Sequence, residues 1–398
     1  MTDISLLLVD DGEYFARIKK YNHIVVYGAG NKAKLTLPLL EAKGIIPSAV
    51  CDGNSALWGK TFLGKYPICS YEQATSKFSN YCILICATVH VATEIIEELG
   101  KKGEKNPIYH CCNLFKVDSR FLSTQDYLSN LDRYSAVYDL LEDDLSKQIY
   151  VEFLNSKMTG SMFSLQKFTD GDTFFDRQLL GSCSSDDVYV DAGAYTGDTL
   201  CRFIAYSGLN YKKAILFEAD EANFSALKNF VQYGAVPNAQ LVNCALWSEK
   251  AEKKFYTLTD NHNLHFDSPN LFNDFNEIAD NTSLFTSEKQ HTSPIAQRVQ
   301  TVTLDSALEN ELPTIMKINA LAADLPILEG SVQTLKRCCP DIILEYGVRP
   351  EYILSEVEFL TQLNLGYRFY LRQKSIFGDN KTILYALGGK RHGSANET

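Results

Sequence analysis

The sequence predicts an α/β protein with two Rossmann-like domains, and three observations predict it. Short apolar, β-branched runs alternate with helical patterns in two separate series, one from His23 to His110 and one from Asp187 to Leu387. In each series a glycine loop sits directly between the first strand and the first helix. In each, an acidic residue ends the second strand.

The first series opens at His23–Tyr27 (HIVVY), followed by Gly28-Ala29-Gly30-Asn31-Lys32-Ala33. A helical pattern through Leu35, Leu37, Leu39, Leu40 and Ala42 ends at Gly44. Strands are expected over 46–51, 66–69, 81–87 and 107–110, with a helix over 91–101. Tyr127 to Met158 has helical spacing and no strand signal, which reads as a connector running into the aromatic stretch Thr173-Phe174-Phe175-Asp176. The second series predicts strands at 188–191, 214–218, 240–244, 315–319, 342–345, 367–371 and 382–387. Helices fill 198–206, 221–233, 324–337 and 350–362. The polar stretch from Thr259 to Gln297 lacks periodicity and reads as a lid or mobile loop. The resulting organisation is a Rossmann-like domain over 1–116, a helical connector over 117–180, a catalytic-type domain over 181–390 and a flexible tail over 391–398.

Composition narrows the function. The chain has 398 residues, with 49 acidic against 38 basic ones and a formal net charge of −11. Such a surface repels nucleic-acid phosphates and anionic lipids, so neither nucleic acid nor membrane is an expected partner. The apolar run Ile4–Val9 is too short for a signal or membrane segment, and no other run approaches 18 apolar residues. Eleven cysteines, odd in number and without a C-x-x-C, read as reduced thiols in a cytoplasmic protein. Seven scattered histidines give no metal site.

The strongest motif is Asp191-Ala192-Gly193-Ala194-Tyr195-Thr196-Gly197-Asp198-Thr199, between a strand and a helix. Gly193 and Gly197 are expected to let the backbone approach a ligand that a side chain would displace. Glu218, at the end of the next strand, suits both hydroxyls of a ribose. Asn243, at the end of the third, can meet an adenine. A dinucleotide loop brings a pyrophosphate onto a helix N-terminus. The aspartate here disfavours phosphate and suits the ammonium of a methionine moiety, pointing to S-adenosylmethionine rather than NAD.

VDAGAYTGDT, LFEADEANFSALKNF, VTLDS, MKIN…LEGSVQTLK, PDIILEY and YRFYLR…ILYAL occur in the order of the FkbM family of S-adenosylmethionine-dependent methyltransferases, which residues 170–387 resemble. The resemblance implies a class I fold: a seven-stranded mixed sheet with one antiparallel strand, methylating hydroxyl oxygens of saccharides or related metabolites. It puts Asp191, Gly193, Tyr195, Gly197, Thr199, Glu218 and Asn243 on the cofactor site. The sequence departs from the family's K-x-D-x-E-G-A-E pattern, since Asn319 and Leu321 replace two acids and Asp324 keeps the last. Gln373 and Lys374 replace paired histidines. Asn319 and Glu345 are the candidates for the catalytic positions, Glu345 as a base or a ligand, while His262 and His265 on the long loop could fold over the site or be solvated loop residues.

In the first domain, Gly28-x-Gly30-x-x-Ala33 with Asp52 ending the second strand 24 residues after Gly28 reads as Rossmann-like. The run Cys51-Asp52-Gly53-Asn54…Trp58-Gly59-Lys60…Leu63-Gly64-Lys65-Tyr66-Pro67-Ile68 is similar to the N-terminal domain of PglD-type sugar acetyltransferases. That resemblance implies a nucleotide or sugar-nucleotide pocket near Gly28, Gly30, Asp52, Thr88 and His90; the other reading is a structural domain that binds nothing. For the whole chain the expectation is an O-methyltransferase with a small-molecule or saccharide acceptor. The alternative is a cofactor-binding scaffold without turnover, supported by the replaced acids and histidines. No hydride-transfer constellation supports an NAD-dependent oxidoreductase. The oligomeric state is open, a homo-oligomer included.

Overall fold

A computed structural model describes residues 2–4, 7–8, 11–111, 124–257, 265–266, 295–308, 310–320, 323–346, 351–376, 379–389 and 391. The chain divides into two compact units. The first comprises Met1–Asp139, Asp144–Asp172 and Arg372–Lys381, and the second Leu140–Asp143, Thr173–Leu371 and Thr382–Thr398.

In the first unit, α1 (Asp11–Ile18) precedes β1 (His23–Tyr27), α2 (Asn31–Ala42), β2 (Ala49–Cys51), β3 (Thr61–Phe62), β4 (Tyr66–Cys69), α3 (Tyr71–Thr75), β5 (Tyr81–Ile85), α4 (Val89–Lys101) and β6 (Ile108–His110). The sheet order is β3-β4-β2-β1-β5-β6, parallel except for the β3–β4 pair. Alternation within β1 divides the core between the two faces of the sheet. Ile24 and Val26 pack with Ala33, Leu37 and Leu40 of α2, while Val25 and Tyr27 pack with Ala92, Ile95 and Leu99 of α4. Burial on both faces is what turns these strands into continuous apolar runs.

The expected connector does not stand apart. After α5 (Thr124–Leu128) and α6 (Leu131–Leu140), α7 (Asp144–Thr159) and α8 (Phe163–Gln166) belong to the first unit. His110 ties them down: its ring stacks on Phe163 at 4.2 Å, its Nδ1 accepts the Met162 N–H at 3.3 Å, and its Nε2 faces the Ala87 carbonyl at 3.0 Å. This arrangement needs a neutral ring with the proton on Nε2, and burial lowers the His110 pKa to about 4.

The second unit begins with α9 (Arg177–Leu180), capped by Asp176, which accepts the N–H groups of Gln178 and Leu179. Then follow β7 (Val188–Ala192), α10 (Asp198–Ser207), β8 (Lys213–Phe217), α11 (Glu221–Tyr233), β9 (Ala239–Val242), β10 (Ala245–Leu246), β11 (Ala251–Thr257), β12 (His265–Phe266), β13 (Ile295–Val302), α12 (Leu304–Ala307), β14 (Ile315–Ile318), α13 (Asp324–Glu329), α14 (Val332–Cys338), β15 (Asp341–Tyr346), α15 (Glu351–Gln362), β16 (Arg368–Ile376) and β17 (Asp379–Leu387). Seven strands form one sheet in the order β16-β17-β15-β14-β7-β8-β9, in which β17 runs antiparallel to β15. This is the expected mixed sheet.

Three features depart from expectation. The helix expected over 324–337 breaks into α13 and α14 at Gly330, a position held to glycine because the Trp247 carbonyl lies where a Cβ would stand. A four-stranded sheet, β10-β13-β11-β12, brackets the polar stretch; residues 258–264 and 267–294, including His262, lie outside the described residues. Arg391, at the start of the expected tail, is anchored by Asp187 at 3.0 Å and Asp341 at 3.3 Å.

Candidate functional site

Parallel strands leave their carboxyl ends on one edge of the sheet, where the order reverses between β7 and β14 and ligands of open α/β sheets bind. The Gly193–Gly197 loop occupies that edge. Gly193 has φ +83°, and a Cβ there would run into the Asn319 carbonyl oxygen. A Cβ at Gly197, φ +95°, would lie 2.8 Å from Phe230 and 3.2 Å from Leu227 of α11. Both glycines are therefore required by the protein's own packing, a reason different from the ligand clearance the sequence suggested. Tyr195 also takes a positive φ of 50°. Thr199 is buried in the first turn of α10.

Asp191 is fully buried and both its oxygens are engaged: Oδ1 by Lys317 Nζ at 2.9 Å and Oδ2 by the Tyr189 hydroxyl, also at 2.9 Å. The ammonium it meets here is thus that of Lys317, which also donates to the Gly193 carbonyl at 2.8 Å. Burial works against the Lys317 charge, but Asp191 and Asp198 outweigh it and raise its pKa, so it stays protonated. Sequence reasoning passed over Lys317 and Tyr189. The available signal was a lysine inside the apolar strand IMKI, since a buried lysine needs a partner.

Glu218 follows β8. One carboxylate oxygen accepts the Tyr195 N–H and the other the Asp220 N–H, each at 2.8 Å. Asn243, after β9, donates its side-chain amide to the Glu218 carbonyl at 2.9 Å. Burial pushes the Glu218 carboxyl up to about 7, against those two N–H groups.

Across the switch point, the Asn319 amide donates to Glu345 Oε2 at 2.8 Å, so the two candidate catalytic residues are brought together. Asp324 accepts the Ala320 N–H at 2.9 Å, and burial, with Glu345 adding, pushes it up to about 6. One residue beyond Glu345, the Tyr346 hydroxyl donates to Glu356, a fully buried acid of α15 that burial raises well above the carboxylate range. This pair fixes the end of β15 and also escaped sequence reasoning. Leu321 lies outside the described residues. Gln373 and Lys374 belong to the first unit, where Lys374 lies 3.7 Å from Asp170 and the Gln373 carbonyl accepts the Asp170 N–H. Among the described residues no His, Cys, Asp and Glu grouping could hold a metal, none of the ten described cysteines is in a disulfide, and no helix is long and apolar enough to cross a membrane.

In the first unit, Gly28 has φ +110°, and a Cβ there would lie 3.0 Å from the Cys86 carbonyl oxygen. Asp52 accepts the Ala29 N–H at 2.7 Å and the Asn54 N–H at 2.8 Å. Gly30 caps α2 with open space around its Cβ position, and Thr88 precedes α4 as its N-cap. The His90 side chain lies outside the described residues.

Residues 191–369 match the model of the methyltransferase FkbM domain. A crystal structure of methyltransferase FkbM from Methylobacillus flagellatus KT is similar at a TM-score of 0.65 and 14% identity, covering 96% of this chain and 95% of that one. Precorrin-6y C5,15-methyltransferase from Geobacter metallireducens GS-15 gives a TM-score of 0.31 at 12% identity, over 52% of this chain and 83% of that one. An rRNA methylase from Streptococcus thermophilus gives 0.29 at 13%, over 53% and 90%. No curated protein matches the chain. The C-terminal region therefore has the FkbM-type fold of S-adenosylmethionine-dependent methyltransferases, with which binding of S-adenosylmethionine is consistent.

Proposed function

We propose that this protein is a cytoplasmic enzyme that methylates a hydroxyl oxygen of a saccharide or related small metabolite. The observation that carries the cofactor end is Glu218, oriented by two backbone N–H groups at the end of β8 beside the Gly193–Gly197 loop. Each of its oxygens keeps a second lone pair for a ribose hydroxyl, so the residues present fit the nucleoside half of the cofactor. Asn243 fixes the Glu218 backbone from the strand where the adenine would lie. Asp191 and Lys317 hold the loop closed against β14. When bound, the cofactor supplies an electrophilic methyl group on a sulfonium.

On the acceptor side, Glu345 is the group to take the hydroxyl proton, with Asn319 fixing its carboxylate from the neighbouring strand. Saccharide acceptors are supported by the family resemblance of residues 170–387. A second reading, cofactor binding without turnover, is favoured by the neutral Asn319 where the family pattern has an acid. The test is calorimetric titration of the full chain with S-adenosylhomocysteine, followed by transfer of labelled methyl to a panel of saccharides. Binding with transfer is expected. Binding without transfer to any acceptor selects the second reading, and absence of binding overturns both.

A further inference from the structure

Resting on the reading of Glu345 as the group that takes the acceptor proton, we propose that Asn319 recognises the hydroxyl beside the one that is methylated. The acceptor then presents a vicinal diol, and each diol receives one methyl group. A carboxylate accepts hydrogen bonds and cannot donate them. The 2.8 Å contact therefore fixes the Asn319 amide with Nδ2 toward Glu345 Oε2 and Oδ1 turned away. Among the described residues no group donates to that Oδ1. Lys317, two residues earlier on the same strand face, donates instead to Asp191 at 2.9 Å and to the Gly193 carbonyl at 2.8 Å. The main chain around Asn319 is pinned as well. Its N–H donates to the Ala192 carbonyl at 3.1 Å, its own carbonyl lies against Gly193, and the next N–H, that of Ala320, goes to Asp324 at 2.9 Å. The amide oxygen is thus a fixed acceptor at the carboxyl edge of the sheet, beside the glycine loop and one amide width from Glu345.

Two oxygen acceptors side by side set what the acceptor molecule must carry. A single hydroxyl has one hydrogen, and in the reacting geometry that hydrogen faces Glu345. The half-buried Asn319 Oδ1 is then left without a donor, which is costly once the acceptor has displaced water. A second hydroxyl on the adjacent carbon supplies the missing hydrogen. In the transfer, the reacting oxygen gains the methyl carbon as the S–C bond of the sulfonium breaks. Its proton passes to Glu345, and neutral S-adenosylhomocysteine leaves. The neighbouring hydroxyl keeps its hydrogen on Asn319 throughout, so the product is a monomethyl ether with a free hydroxyl beside it. Turned around for a second transfer, that ether would set an oxygen without a hydrogen against an amide oxygen that only accepts. One diol is therefore methylated once. An acid in place of Asn319 would discriminate less, because a protonated carboxyl donates to an ether oxygen.

The full chain saturated with S-adenosylhomocysteine holds an acceptor without turnover, so binding reads the contact apart from activity. Methyl glycosides of mannose, galactose, glucose and rhamnose are titrated calorimetrically, each beside its monodeoxy analogues. Transfer of labelled methyl then locates the methylated hydroxyl. Removing one of the hydroxyls adjacent to it should weaken binding at least about fivefold, the loss of one hydrogen bond. Mass spectrometry should show one methyl group, with that adjacent hydroxyl still free after prolonged incubation. Asn319→Ala should bring the deoxy comparison to near unity. Should that variant fail to bind S-adenosylhomocysteine, the deoxy comparison and the methyl count on the unaltered chain still decide. Equal binding of the deoxy analogues, or methyl groups on neighbouring carbons, overturns the role of Asn319. Absence of transfer to every glycoside while S-adenosylhomocysteine binds overturns the proposed methylation, and the diol with it. Failure of S-adenosylhomocysteine itself to bind overturns instead the reading of Glu218.

Discussion

Lys317 and Asp191 show how one side-chain pair sets the shape of a ligand edge. Both are buried, 3% and 0% exposed at the side chain, and their 2.9 Å contact joins the ends of adjacent strands. Removing one partner of such a pair strands a charge in a dry interior, which costs about 3–5 kcal/mol. Lys317→Met should therefore lower unfolding stability by roughly that amount in denaturant titration, and the double variant with Asp191→Asn should recover part of it. A loss no larger than that of an exposed lysine would mean the pair is not an ion pair. Glu218 predicts a pH signature. Its folded-state carboxyl is raised from the ordinary 4.5 to about 7 by burial. Its stabilising contribution to the ligand-free protein is fully present below pH 4.5 and is lost as pH rises through about 7. Binding of a ribose diol has the opposite sign, since hydroxyls donate to the ionised form. S-adenosylhomocysteine affinity should rise between pH 6 and 8, and Glu218→Gln should be weaker by about 1.5–3 kcal/mol with a flat profile. A profile unchanged by the substitution would move the ribose away from Glu218.

At the scale of elements, the loop between β7 and α10 carries the sharpest demand. Gly193 combines a left-handed φ of +83° with a backbone carbonyl where a Cβ would stand. Gly193→Ala should cost at least about 1–3 kcal/mol in strain alone and weaken cofactor binding with it, read by thermal unfolding and calorimetry on the same preparation. Elements buried on both faces were legible in the sequence. The expected His23–Tyr27 strand and the 221–233 helix are found with those limits, because two-sided burial forces uninterrupted apolar runs and Asp220 supplies a cap to α11. The breaks were not legible. Gly330, where α13 ends, is held to glycine by the Trp247 carbonyl, more than eighty residues earlier, and no local pattern encodes that approach. The site was legible to the same extent. Strand-end acids announce themselves by position, whereas the partner of Asp191 arrives from another strand 126 residues away.

Over the whole molecule, the order of the chain is not the order of its units. Residues 144–172 and 372–381 fall in the first compact unit, although the sequence suggested a helical connector over 117–180 and a continuous domain over 181–390. The two segments hold each other through the Asp170 N–H to the Gln373 carbonyl at 2.9 Å, the Ser375 N–H to the Gly171 carbonyl at 3.0 Å, and Arg372 to Ser146 at 3.1 Å. Cutting the chain at residue 173 therefore does not release an intact methyltransferase domain, because it leaves 372–381 without those partners. A fragment spanning 173–398 should melt below the S-adenosylhomocysteine-stabilised transition of the full chain, by about 2–4 °C for each kcal/mol lost. Adding residues 144–172 back as a separate peptide should restore part of the difference. A fragment as stable as the full chain would show that residues 372–381 need nothing from residues 144–172. The sequence-derived boundary at 180 would then be the better place to divide the protein.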